Sequence, residues 1–111
     1  MTEEAKSANE MDLEQTMGLI VNAGNARAFA KEAVDAAHNG DLKLAHEKLA
    51  AADKAIVVAH NSQTSMLTKE ANGDHVKLTL LVVHAQDHLM TAITFIDLAK
   101  ELVAVYEKMA E

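Results

Sequence analysis

Residues 84–90, His84-Ala85-Gln86-Asp87-His88-Leu89-Met90, put two imidazoles, an amide and a carboxylate on consecutive turns of a strongly apolar stretch. Leu80, Leu81, Val82 and Val83 precede them, and Ile93, Phe95 and Ile96 follow. Polar groups set among residues that seek burial are costly unless they are paired or used. On a helix His84 and His88 stand about 40° apart in projection, and Asp87 lies about 60° to the other side of His84. Their polar ends can converge.

Three chemistries suit such a cluster. A neutral imidazole can attack phosphorus and hold a phosphoryl group in a labile N–P bond. Gln86, His88, Thr91 or a neighbouring subunit would then supply donors to the phosphoryl oxygens. Zinc is the second. His84-x-x-Asp87-His88 echoes the inverted zinc-protease pattern with Asp in place of Glu, and an i, i+4 histidine pair is a metal fork. No third ligand stands out in the sequence. The third reading is structural: one histidine in a helical seam is commonly a paired core residue. That reading suffices for His38, His46 and His75. It weakens for His84, because Gln86, Asp87 and His88 accompany it and because His60 and Gln63 occupy the middle of the preceding helix as candidate supporting groups. From the residues alone, the function divides between a phosphoryl carrier and a structural or metal-stabilised helical oligomer. Arg27 is a candidate phosphate clamp, or one half of a structural ion pair.

The elements that must position these groups are long helices. The chain has 111 residues, about a fifth of them alanine, with no proline, no cysteine and four glycines. That length suits one domain, and that composition suits helix. Asn39-Gly40-Asp41 and Asn72-Gly73-Asp74 each offer a helix-ending glycine and a following Asp cap. They predict helices over 11–38, 41–71 and 75–109, with residues 1–10 as a flexible segment. Short connections force neighbours to run antiparallel, so the expected fold is an all-α, up-down-up three-helix bundle. In the second helix Leu42, Ala45, Leu49, Ala52, Ile56, Ala59, Gln63 and Met66 form a heptad seam. In the third, Leu81, His84, His88, Thr91, Phe95, Leu98, Leu102, Val105 and Met109 form a comparable one. Val83, Asp87, Met90 and Thr94 make a second stripe beside it. A helix apolar on two sides is covered on two sides, which implies a homo-oligomer packed through the third helices. Asp87 would then meet its copies at a symmetry axis, where like carboxylates need a shared proton or a cation; Mg²⁺ suits such oxygen ligands. The other role for Asp87 is to orient a histidine ring.

The net charge of −7 argues against nucleic acid as a partner. Without a membrane-length apolar run or a signal-peptide core at the acidic start, the expected location is cytoplasmic.

The run Val83-His84-Ala85-Gln86-Asp87-His88-Leu89-Met90 resembles the signature of the lactose/cellobiose-type IIA component of the phosphoenolpyruvate-dependent sugar phosphotransferase system (PTS). Met17-Gly18-Leu19-Ile20, Ala23-Gly24-Asn25-Ala26-Arg27, Ala59-His60-Asn61-Ser62-Gln63-Thr64 and Glu70-Ala71-Asn72-Gly73 agree in the same order. The likeness extends from about residue 12 to the C-terminus. Ala28 departs from it, standing where the family often has serine. The resemblance implies a homotrimer, a nine-helix bundle spanning residues 11–111 of each copy. It implies that His84 accepts a phosphoryl group from the carrier protein HPr; the physical reading adds Gln86 and His88 as the catalytic-site candidates to touch the phosphoryl oxygens. His84 would pass the group to a cysteine of a IIB component, which serves a membrane IIC component during disaccharide uptake. It further implies one Mg²⁺ per trimer, held by Asp87.

Overall fold

A computed structural model describes residues 8–111, with side chains from Asp12 onward. Three helices and no strands make up the described chain: α1 (Ala8–His38), α2 (Leu42–Ala71) and α3 (Leu80–Ala110). They form the up-down-up bundle. The molecule is a rod, 61 × 28 × 21 Å. Its radius of gyration of 17.2 Å exceeds the roughly 13 Å of a compact domain of this length.

Both glycine turns stop their helices in the same way. Gly40 and Gly73 take φ of +86° and +87°, a conformation that a side chain disfavours. Each turn closes with a pair of backbone bonds. Gly40 N donates to Ala37 O and Asp41 N to Ala36 O; Gly73 N donates to Glu70 O and Asp74 N to Lys69 O. This is the Schellman arrangement, which satisfies the last carbonyls of the helix. Asp41 then starts α2 at once, its carboxylate accepting from Leu44 N at 3.1 Å.

The second turn differs from expectation. α3 begins at Leu80 rather than near residue 75, and its cap is Thr79, whose hydroxyl accepts from Val82 N at 3.2 Å. Asp74 closes the end of α2 and starts nothing, while His75 pairs back with Glu70. Residues 74–79 form a connecting strap. At the other end, α1 begins at Ala8, three residues earlier than position 11. The remainder of the segment 1–10, residues 1–7, lies outside the described residues.

The core is built mainly from alanine. In α1, Leu19, Ala23, Ala26, Ala30, Ala33 and Ala37 repeat at spacings of four and three, and all are buried. Small residues on that face let α2 and α3 approach closely. α1 packs extensively on both other helices, which touch each other much less. The α2 seam is as expected: Ala45, Leu49, Ala52, Ala59 and Met66 are buried. The α3 seam is not. The buried residues are Ala85, Leu89, Ala92, Ile96, Ala99 and Val103. The run from Leu81 through His84, Thr91, Leu98 and Leu102 to Met109 faces outward, with His88 and Phe95 half-buried at its edge. Side-chain size misdirects the assignment, because alanine alternates with Leu89, Ile96 and Val103 on the inward face while an unbroken row of larger residues lies outside.

That outer surface is apolar over most of its length. Val83 and Met90 are exposed near the cluster, and Leu98 and Val105 are 55% and 52% exposed further along. None of the described helices is long and apolar enough to cross a membrane.

Candidate functional site

The helix period spreads the polar cluster over three directions. His84 is exposed, one turn into α3. His88, one turn further on, is half-buried between α3 and α1. The two rings stack, with centroids 5.6 Å apart and planes at 27°. A capped, regular helix holds both Cα positions, so their separation changes little with thermal motion.

His88 reaches α1 at Gly24. A Cβ placed on Gly24 would lie 3.3 Å from His88 Nε2. The imidazole edge therefore faces bare backbone where every other inward position nearby on α1 carries a methyl group or more. This contact was not foreseen in the sequence. The available signal was a glycine in the interior of an alanine-rich helix, at a cost of about 0.5–1 kcal/mol relative to alanine.

Gln86 turns the other way. Its Oε1 accepts from Gln63 Nε2 at 2.8 Å, and its own amide lies 3.6 Å from Met66 Sδ. Gln63 also reaches Met90 Sδ at 3.6 Å. Two residues of helix rotate a side chain by about 200°, so within one chain Gln86 stands across α3 from His84. Within the single chain Gln86 ties α3 to α2 rather than standing beside its own His84. Gln63 supports Gln86 and neither histidine. His60 is exposed, and among the described residues no hydrogen bond or ring contact joins it to the cluster. Thr91 donates its hydroxyl to the backbone oxygens of Asp87 (3.0 Å) and His88 (3.2 Å), so its proton is already engaged.

Asp87 is exposed, on the opposite side of His84 from His88. It shares its stripe with Val83, Met90 and Thr94, all exposed, and the stripe continues into Leu98 and Val105. A carboxylate in the middle of an apolar outer face has no partner among the described residues. Within one chain no group of three His, Cys, Asp or Glu side chains gathers among the described residues. A zinc site of the H-x-x-D-H kind therefore lacks its third ligand here, and His88 Nε2 faces α1. Arg27 is exposed one turn beyond Gly24, and no ion pair involves it among the described residues.

The remaining histidines have structural partners. His38 stacks on Tyr106 with centroids 5.4 Å apart, His46 Nε2 lies 2.7 Å from Glu107, and His75 pairs with Glu70. A cavity of 380 Å³ between the start of α1, the strap and the start of α3 is lined by Thr16, Val76, Thr79 and Leu81, and by none of the cluster residues.

Comparison with known proteins decides the family. The model of the PTS lactose/cellobiose-specific IIA subunit matches residues 14–107. The chain belongs to this IIA family. It is 45% identical over 93 residues to the lichenan-specific phosphotransferase enzyme IIA component of Bacillus subtilis (strain 168), covering 84% of each. The IIA fold superposes with a TM-score of 0.88 on the crystal structure of the PTS cellobiose-specific enzyme IIA from Bacillus anthracis, at 38% identity, over 98% of this chain and 97% of that one. It also superposes, with a TM-score of 0.79 and 34% identity, on IIA(Chitobiose) in its solution complex with HPr from the N,N′-diacetylchitobiose branch of the Escherichia coli phosphotransferase system. That match covers 96% of this chain and 100% of that one. The chain is thus a phosphotransferase-system component of the lactose/cellobiose IIA type.

Proposed function

We propose that this IIA subunit carries a phosphoryl group on His84, receiving it from phospho-HPr and giving it to a cysteine of a IIB component for the benefit of a membrane IIC component. The observation that carries the reading is the exposure of the His84 ring on a rigid helix, stacked on a half-buried His88. A carrier histidine has to be reached by two proteins in turn and still be held in one place.

In the first step an unprotonated ring nitrogen of His84 attacks phosphorus. The new N–P bond forms as the N–P bond to the donor's histidine breaks, and the donor nitrogen keeps the electron pair. In the second step a cysteine thiolate attacks, an S–P bond forms, and His84 recovers the pair. Phosphoryl transfer between such groups depends mainly on alignment and on charge near the equatorial oxygens. His88 stacks on His84, and its ring can donate a hydrogen bond to the transferred group. Further donors would come from a second copy of the chain or from the partner. The solved complex of IIA(Chitobiose) with HPr supports HPr as donor. Membership of the family supports IIB and IIC partners and a cytoplasmic location. The sugar does not follow: similar chains are named for lichenan, cellobiose and chitobiose.

The exposed apolar stripe of α3 supports a homotrimer, three copies joined through α3 as a nine-helix bundle. Asp87 sits on that stripe. Its exposed carboxylate, unpaired within the described chain, fits a shared cation only when copies meet. Three Asp87 side chains would hold one Mg²⁺, which would neutralise their mutual repulsion.

Intact-protein mass measurement after incubation with phosphoenolpyruvate, enzyme I and HPr tests the reading. The wild-type chain should gain one phosphoryl mass, removed by acid and stable to base, and His84→Ala should gain none while keeping its helicity. Labelling of His84→Ala together with loss of label in His88→Ala would move the carrier one turn along α3.

A further inference from the structure

Helix α1 carries two interior glycines whose surroundings differ. A side chain at Gly18 would meet nothing within 4 Å. One at Gly24 would meet His88 Nε2 at 3.3 Å, closer than the roughly 3.5–4.0 Å of ordinary van der Waals contact. Alanine is the better helix former at both positions, and α1 uses it freely on either side of Gly24, at Ala23 and Ala26. Helix formation therefore does not account for the glycine at 24, whereas the ring against it does.

We infer that Gly24 is a positioning residue: the space left by its missing side chain seats the His88 imidazole and, through it, sets where the His84 ring stands. The inference rests on the reading of His84 as the phosphoryl carrier. The path is short and physical. A methyl group at position 24 needs the His88 ring to withdraw by a few tenths of an ångström. The ring is half-buried and lies stacked on His84, so its way out of the groove runs against the carrier. Either His84 is pushed from its resting place or the stack opens. In both cases the hydrogen-bonding edge of His88 moves relative to a phosphoryl group on His84. Alignment errors of an ångström cost on the order of a hundredfold in rate, so a displacement of a few tenths should cost several-fold to about tenfold.

The test uses the full chain as Gly18→Ala, Gly24→Ala, His88→Ala and Gly24→Ala/His88→Ala. Melting is followed by circular dichroism, phosphoryl uptake from phospho-HPr by rapid quench, and the imidazole nitrogens of His84 and His88 by ¹⁵N NMR. Gly24→Ala should melt at or above the wild-type temperature, yet transfer about tenfold more slowly at saturating phospho-HPr, with little change in the concentration giving half-maximal rate. Its His88 resonances should shift. Gly18→Ala should transfer at the wild-type rate with unshifted histidine resonances. In the His88→Ala background, Gly24→Ala should have no further effect, because the ring that transmits it is gone. A wild-type rate in Gly24→Ala overturns the inference. So does an equal loss with and without His88, which would make Gly24 act by another route. If wild-type protein takes up no phosphoryl group at all, the carrier reading itself fails and the role in transfer fails with it. In that event, His88 resonances that move in Gly24→Ala and not in Gly18→Ala would still uphold the seat.

Discussion

A histidine that hands a phosphoryl group between proteins has to be open to both of them without being loose. In the proposed carrier role these demands would fall to two residues: His84 is exposed, and the ring stacked on it, His88, is half-buried against Gly24. Within one chain the neighbouring amides turn away from these rings. Gln63 and Gln86 join α2 to α3 across a contact that is otherwise thin, and the sulfurs of Met66 and Met90 close around the pair. Replacing Gln63 by leucine keeps the volume and removes the bond to Gln86, whose partly exposed oxygen can turn to water. The expected loss is about 1 kcal/mol of stability, read as a lowered urea midpoint, with phosphoryl uptake within twofold of wild type. A loss of transfer as large as that of His84→Ala, at unchanged stability, would show that the amide pair belongs to the reaction.

At the scale of the helix, the start of α3 matters most, since His84 lies in its second turn. Thr79 caps it, and the four residues that follow, Leu80 to Val83, include three exposed apolar side chains and so contribute little packing of their own. Thr79→Ala should cost about 1 kcal/mol and let this first turn fray. Amide hydrogen exchange should quicken in residues 80–84 while the middle of α3 keeps its protection, and Thr79→Ser should restore it. Protection unchanged in Thr79→Ala would mean that the strap, not the cap, holds the turn. This start was not legible in the sequence, and the reason is specific. Asn72-Gly73-Asp74 has the same form as Asn39-Gly40-Asp41, and Asp41 does cap α2. α3 starts instead where the Thr79 side chain caps it, after a strap whose Val76 packs against the core. The helices themselves, their order and the α2 seam could be read, because turn glycines and the seven-residue spacing of Leu42, Leu49 and Ile56 are local signals. The α3 seam could not. Ala85, Ala92 and Ala99 are poor markers of a core beside Leu98 and Leu102, and only contact with the alanine row of α1 shows which face is inside. The same holds at the site. The run from His84 to His88 was visible as chemistry, whereas the turning of Gln86 toward Gln63 and the meeting of His88 with Gly24 depend on how the helices are placed.

At the scale of the molecule, a rod this thin has an outer face that resembles an interior. Leu98, Leu102, Val105 and Met109 prolong the stripe that holds Asp87, and they are exposed in the single chain. A row of that length marks an interaction surface, and the proposed homotrimer would cover it. If three copies meet there, three Asp87 carboxylates would converge within the row, and a cation bound between them would offset their repulsion without being the source of the adhesion, which would come from the apolar residues. Two substitutions separate these contributions. Asp87→Leu exchanges a charge cluster for apolar groups of similar size, a change that is often neutral or stabilising. It should sediment as a trimer with or without EDTA, whereas the wild-type trimer should weaken when EDTA removes Mg²⁺. Asp87→Lys should put three cations in the same place and sediment as a monomer in both conditions. A trimeric Asp87→Lys protein would place Asp87 away from the axis, leaving the carboxylate free to orient a histidine ring of the cluster.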